Sequence, residues 1–163
     1  MSSVQVAALP VGALLERYSA TGAYTDCYEV AVPGHASLAE FMAAFYTTPV
    51  FKVERWLLAH LARYPSTDEQ ALSLAKGQLT HFAAWQVEAR ESGQAILAAG
   101  RTRSWLMVRP AKAGATSLFF GSAVVPRRRG GLGWSFGVLL GIHRLYSRVL
   151  LASAARRVVK GNS

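Results

Sequence analysis

Cysteine is nearly absent from this sequence. Cys27 is the one thiol among 163 residues, which excludes an internal disulfide and a zinc site made of four cysteines. No two of the four histidines lie three to five residues apart, as paired metal ligands usually do. The sequence therefore predicts neither a metal site nor a cofactor, and the single thiol favours a reducing compartment such as the cytoplasm.

Long hydrophobic runs are absent as well. The longest, residues 132–142, has eleven residues, whereas a membrane-spanning helix needs about 20. A mildly apolar run over residues 4–15 has no Lys or Arg before it, so it lacks the positive region of a secretory signal. We expect no transmembrane segment and a loosely ordered N-terminal segment over residues 1–20.

Acidic residues are missing from the second half of the chain. All nine Asp and Glu lie in residues 1–91, which also hold six Lys and Arg and have a net charge of −3. Residues 92–163 hold twelve Lys and Arg and have a net charge of +12. This asymmetry predicts either an anionic partner or two halves that face each other across the fold. Nucleic acid is not an expected partner, because no nucleic-acid-binding motif or aromatic platform accompanies the basic residues.

The overall composition is typical of a folded domain. Hydrophobic residues make up 52% of the chain and charged residues 17%, which argues against disorder. The length fits one domain over residues 1–163 with a core of ordinary size.

Periodicity predicts a strand followed by helices in the first half. Residues 24–32 are rich in β-branched and aromatic residues and end at a Pro–Gly turn. Ser37 and Glu40 have the spacing of a capping box for the helix that follows. Three helices are predicted, at residues 38–46, 50–64 and about 70–76. The second of them has an apolar side made of Val53, Leu57, Leu58 and Leu61.

Alternating patterns replace the helical ones in the second half. Four consecutive strands are predicted, at residues 82–91, 94–99, 103–109 and 116–125. A single long helix over residues 132–159 ends the chain. Consecutive strands after a helical insertion predict an α+β fold in which an antiparallel sheet carries the helices on one side.

This order of elements resembles the helix-grip architecture of the START and Bet v 1-like (SRPBCC) superfamily. In that superfamily a curved antiparallel β-sheet wraps around a long C-terminal α-helix. The resemblance covers most of the chain. It implies one helix-grip-like domain with a cavity between the sheet and the C-terminal helix.

A second resemblance is local. Residues 126–146 read Pro-Arg-Arg-Arg-Gly-Gly-Leu-Gly and, after seven residues, Gly-Ile-His-Arg-Leu. They are similar to the last strand and terminal helix of a bacterial family with the same fold, sometimes appended to short-chain-dehydrogenase-like domains. Gly141 stands where that family has proline, and its aromatic pair at the helix start is represented by Trp134 and Phe136. The resemblance implies a fold, and function has to be argued from the site.

A cavity of that kind would be lined by large side chains of the strands and of the terminal helix. Adjacent strand residues point to opposite faces, and the alternation leaves open which of each pair points inward. The candidates for ligand binding are Trp85, Trp105, Met107, Phe119, Phe120, Leu139, His143 and Tyr146.

His143 is the most informative ionisable residue. It lies at helical spacing with Leu140 and Tyr146, where it can bind the polar head of a ligand or act as acid or base. The alternative is a core histidine that a backbone carbonyl or Tyr146 satisfies. No nucleophile and base have a catalytic spacing, so no catalytic residue is assigned.

The run Arg127, Arg128 and Arg129 separates the last predicted strand from the terminal helix. It is a candidate for binding anions such as lipid phosphates, and its alternative is a solvated loop.

Three functions follow from the sequence. The first is binding of a small hydrophobic molecule, such as a lipid, polyketide or aromatic metabolite. The second is a peripheral interaction of the basic half with an anionic membrane surface or acidic partner. The third is a cyclase- or dehydratase-like reaction that uses His143.

Overall fold

One antiparallel sheet organises the structure. The computed structural model describes residues 2–61, 63–125 and 135–161, without the side chains of residues 58, 61 and 135–142. The strands within these ranges are β1 (Gln5–Val6), β2 (Tyr24–Pro33), β3 (His81–Phe82), β4 (Trp85–Glu91), β5 (Gln94–Ala99), β6 (Thr102–Pro110) and β7 (Ala115–Val124). They lie in the order β1-β2-β7-β6-β5-β4-β3, and all neighbours are antiparallel.

The helices complete an α+β fold. They are α1 (Glu16–Ser19), α2 (Leu38–Tyr46), α3 (Pro49–Leu61), α4 (Asp68–Ala75) and α5 (Ser135–Gly161), with a 3-10 turn at Lys112–Gly114. Helices α2 and α5 contact each other and the sheet, and α4 packs on α2. The predicted antiparallel sheet with a long C-terminal helix is confirmed. In the part of the chain that the structure describes, no helix is both long and apolar enough to cross a bilayer.

Local sequence signals explain where the helices begin. The backbone N–H of Glu40 donates to Ser37 Oγ at 3.2 Å, and the Glu40 carboxylate accepts from the Ser37 N–H at 2.7 Å, which confirms the capping box. Thr67 and Gln70 form a second capping box at the start of α4. Pro49 is the first residue of α3, where its missing N–H leaves no helical hydrogen bond unmade.

The two faces of the sheet bury different sets of side chains, because successive strand residues point to opposite sides. The helix-covered face, which α2 and α5 pack on, buries Tyr28, Val30, Leu106, Leu118 and Phe120 among others. The opposite face buries Cys27, Ile96, Trp105, Met107 and Phe119. Both faces are therefore covered.

The N-terminal segment covers the second face, whereas the sequence predicted that it would be loosely ordered. Gln5 in β1 pairs with Glu29 in β2, and Ala13, Leu14 and Leu15 are buried. A two-residue strand and a four-residue helix are too short to show a period, which is why the sequence did not reveal this packing.

Candidate functional site

A cavity of about 300 Å³ lies between the helix-covered face of the sheet and helices α3 and α5. Its size is in the range of cavities that hold small molecules. The described residues that line it are Phe45, Phe51, Glu54, Ala84, Trp85, Ala99, Thr102, Ser104, Phe120, His143, Tyr146 and Leu150.

Aromatic rings form the apolar wall of the cavity. The ring centroid of Phe45 lies 4.8 Å from that of Phe120 and 5.9 Å from that of Phe51, and Phe51 lies 5.2 Å from Trp85. These rings come from α2, α3, β4 and β7, so the wall exists only in the folded chain. Such a surface favours apolar, and particularly aromatic, ligands.

Glu54 of α3 and Tyr146 of α5 form one polar part of the wall. The Tyr146 hydroxyl donates a hydrogen bond to the Glu54 carboxylate. Burial raises the pKa of Glu54, while the Tyr146 hydrogen bond and the nearby His143 oppose that rise. Burial and the Glu54 charge both raise the pKa of Tyr146, so its phenol stays protonated. The pair joins α3 to α5 across the cavity wall.

His143 of α5 forms the other polar part, together with two residues behind it. Its Nε2 lies 2.7 Å from the Ser122 hydroxyl in β7 and 3.5 Å from Asp26 Oδ2 in β2. Asp26 Oδ1 accepts from both the backbone N–H and the hydroxyl of Ser122, at 2.9 and 2.6 Å. Burial alone would raise the pKa of Asp26, but hydrogen bonds from His143 and Ser122 outweigh burial and lower it. Asp26 is therefore an ionised carboxylate behind the imidazole.

Tyr24 and Arg144 form the outer edge of this group. The Tyr24 hydroxyl donates to Asp26 Oδ2 at 3.3 Å, and Arg144 Nε donates to the Tyr24 oxygen at 3.2 Å. Arg144 is exposed, so its charge is screened by solvent.

Four of the predicted ligand-binding residues meet at this cavity: Trp85, Phe120, His143 and Tyr146. Trp105, Met107 and Phe119 do not, and their assignment is corrected. They lie on the opposite face of the sheet, in the cluster under the N-terminal segment. Phe119 and Phe120 are adjacent in β7, so only one of them can face the cavity.

The remaining predicted residues lie outside the described part of the structure. This applies to the Leu139 side chain and to Arg127, Arg128 and Arg129.

The site also contains residues that the sequence did not suggest. Asp26 is not among the residues that the sequence singled out, and its neighbour Cys27 points to the opposite face, where burial raises its thiol pKa to about 12. Asp26 instead meets His143 and Ser122, which lie far from it in sequence. Asp26 is one of two carboxylates in a strand rich in apolar and aromatic residues, and this is the signal in the sequence that could have pointed to a special environment.

Other parts of the described chain offer weaker sites. A hollow of about 310 Å³ between the β6–β7 turn and the loop after β2 is lined by residues such as Pro110, Ala111 and Gly114, with exposed His35 at its edge. Its lining has no Phe, Tyr or Trp and so lacks the aromatic wall of the first cavity. Among the described residues, no group of His, Cys, Asp and Glu side chains is arranged to hold a metal ion.

Comparison of the chain with known protein families, curated protein sequences and solved structures found no match.

Proposed function

We propose that this protein binds a small hydrophobic molecule in the cavity between the sheet and α5. The observation that carries the proposal is the cavity wall itself, in which clustered aromatic rings face a small number of partly buried polar groups. Ligand sites of proteins typically combine an apolar wall with a few polar groups that orient the ligand. The ligand classes suggested are lipids, polyketides and aromatic metabolites.

The topology supports a further proposal, that the chain is a helix-grip protein of the START and Bet v 1-like superfamily. The strand before the helices, β2, pairs with the last strand, β7, and β3 to β7 follow in sequence order across the sheet. The long C-terminal helix then packs on β2 and β7. We place the proposed binding in the cytoplasm, since the one cysteine suits a reducing compartment.

The test uses N-phenyl-1-naphthylamine, a neutral apolar dye whose fluorescence rises in apolar surroundings. Ala99 lines the cavity, and Ala98 is its neighbour on the other face of β5. Ala99→Trp fills the cavity and is expected to weaken dye binding at least tenfold. Ala98→Trp is the matched control and should bind the dye like the unchanged protein. Equal binding by both variants would contradict the proposal.

Two further measurements accompany the dye titration. Binding of a neutral dye in an apolar cavity should be nearly unaffected by added salt, because it releases few counterions. Native mass spectrometry of the purified protein is expected to show a co-purified small molecule, whose occupancy falls in Ala99→Trp.

A second candidate function, binding to an anionic membrane surface, is favoured by the exposed side of α3. The sequence placed Val53 and Leu57 on the apolar side of this helix, but both are exposed: Val53 is 60% exposed and Leu57 42%, and the neighbouring Trp56 is 59% exposed. On α5, Leu145 is exposed between the exposed cations Arg144 and Arg148. Apolar and basic side chains together are typical of helices that lie on anionic lipid.

Vesicle sedimentation tests this second function. Phosphatidylcholine vesicles with and without phosphatidylserine are compared, and binding should require the anionic lipid and decrease steeply with salt. Val53→Asp should weaken binding. Val11→Asp, at an 86% exposed valine of the N-terminal segment, is the control and should not. Equal loss in both variants would show that added negative charge, not the α3 surface, causes the effect.

A further inference from the structure

The hydrogen bonds around Ser122 determine which nitrogen of His143 carries the proton. The Ser122 hydroxyl has one hydrogen and two neighbours that can accept it, Asp26 Oδ1 at 2.6 Å and His143 Nε2 at 2.7 Å. If the hydroxyl donated to Nε2, its oxygen would face the ionised carboxylate at 2.6 Å with no hydrogen between them. The hydroxyl therefore donates to Asp26, and its oxygen accepts from Nε2–H.

Asp26 reinforces this assignment. Its second oxygen, Oδ2, lies 3.5 Å from Nε2, so the carboxylate charge also favours a hydrogen on that nitrogen. The low pKa of Asp26 keeps the carboxylate ionised. In the neutral imidazole, Nδ1 is then the nitrogen with a free lone pair. No described residue donates a hydrogen bond to Nδ1, and the imidazole lines the cavity.

The charges around the cavity determine which ligand head can reach that lone pair. Glu54 of α3 lines the cavity, and the Asp26 carboxylate lies behind His143. His143 and Glu54 are close enough to influence each other electrostatically. A ligand carboxylate or phosphate placed there would be repelled by Asp26 and would meet a lone pair at Nδ1. A neutral hydroxyl would meet an acceptor without that repulsion.

We propose that His143 Nδ1 accepts a hydrogen bond from the hydroxyl of a neutral apolar ligand, such as a phenol, an alcohol or an enol. Asp26 and Ser122 are positioning residues that act through the imidazole. This inference rests on the proposed binding function and adds the ligand class, which excludes anionic amphiphiles.

Three naphthalenes of similar size test the ligand class by isothermal titration calorimetry near neutral pH. 2-Naphthol has a hydroxyl donor, 2-methoxynaphthalene has only an acceptor, and 2-naphthoate has a carboxylate. We expect 2-naphthol to bind about tenfold more tightly than 2-methoxynaphthalene, which corresponds to one net hydrogen bond. The naphthoate should bind most weakly. Equal binding of naphthol and methoxynaphthalene, or tightest binding of naphthoate, would overturn the proposal.

Variants of His143 and Asp26 test whether these residues cause the preference for 2-naphthol over 2-methoxynaphthalene. His143→Phe keeps an aromatic ring but removes the ring nitrogens, so the ratio of the 2-methoxynaphthalene and 2-naphthol dissociation constants should fall to about one. Asp26→Asn should reduce the same ratio, because the amide has no charge to favour Nε2–H. A preference that survives in His143→Phe, with the melting temperature unchanged, would refute the role of His143.

Nitrogen NMR determines the tautomer of the His143 imidazole in the protein without added ligand. The neutral His143 ring should show its hydrogen on Nε2 in the unchanged protein, and Asp26→Asn should show an increased share of the Nδ1–H form. A ring with its hydrogen on Nδ1 in the unchanged protein would overturn the inference, even if His143→Phe failed to fold. If neither the three naphthalenes nor the neutral dye bind, the proposed binding function is wrong. If they bind but 2-naphthol and 2-methoxynaphthalene bind equally, only the inference about the ligand class is wrong.

Discussion

The side-chain oxygen of Gln94 accepts a hydrogen bond from the indole N–H of Trp105, 2.9 Å away, on the face of the sheet opposite α5. The same oxygen accepts from the Leu14 backbone N–H at 2.9 Å, and the Gln94 amide nitrogen donates to the Gly12 carbonyl at 2.9 Å. One buried amide therefore attaches the N-terminal segment to the sheet.

Gln94→Leu is expected to lower the free energy of unfolding by about 3 kcal/mol, because buried partners of the amide lose their hydrogen bonds. Urea denaturation measures the change. Gln86→Leu, at an exposed glutamine of β4, is the control and should change stability by no more than about 0.5 kcal/mol. If the two variants are equally stable, the segment is not held by Gln94.

Gly121→Ala tests the close approach of three elements at β7. A Cβ atom at Gly121 would lie 2.7 Å from the Asp26 carbonyl oxygen and 2.8 Å from Leu15 Cδ2. The backbone oxygen cannot move freely, so we expect a loss of about 1–3 kcal/mol in stability. Gly161→Ala, where nothing lies within 4 Å, should be neutral or slightly stabilising. If Gly121→Ala does not change the stability, β2 and β7 can move apart enough to accommodate the Cβ atom, and the prediction is wrong.

The lowered pKa of Asp26 predicts a pH dependence of stability. Because the carboxyl has a lower pKa in the folded than in the unfolded chain, its hydrogen bonds stabilise the fold above about pH 4 and are lost as pH falls through the lowered value. The unchanged protein should exceed Asp26→Asn in stability near neutral pH, and the difference should shrink on acidification. A difference that is constant with pH would contradict the assignment of Asp26 as a buried carboxylate.

Glu54 predicts a pH dependence of the opposite sign. Burial raises its pKa, so the folded chain binds a proton more tightly than the unfolded chain does. Stability from this group is present at low pH and is lost as pH rises from about 4.3 through the raised pKa. Glu54→Gln keeps an acceptor for Tyr146 but has no carboxyl group to titrate. Its free energy of unfolding should therefore fall less than that of the unchanged protein as the pH rises through this range. Carbon NMR of the Glu54 carboxyl measures its titration directly.

Most of the secondary structure can be predicted from the sequence, because that information is local. The Ser37–Glu40 capping box placed the start of α2 at the correct residue, and the pattern over residues 94–99 matched β5. The change from a helical to an alternating period was enough to predict an antiparallel sheet with a terminal helix. It was also enough to single out His143 as a residue on the inward side of that helix.

The set of side chains that forms the site depends on contacts between elements and could not be predicted from local patterns. Alternation states that Phe119 and Phe120 point to opposite faces, but which face the helices cover depends on packing between elements distant in sequence. Asp26, Ser122 and His143 meet because the register of β2 and β7 puts Asp26 opposite Ser122, and α5 then crosses both strands. No short-range pattern encodes that register, since it results from the hydrogen bonds and buried side chains of the whole sheet.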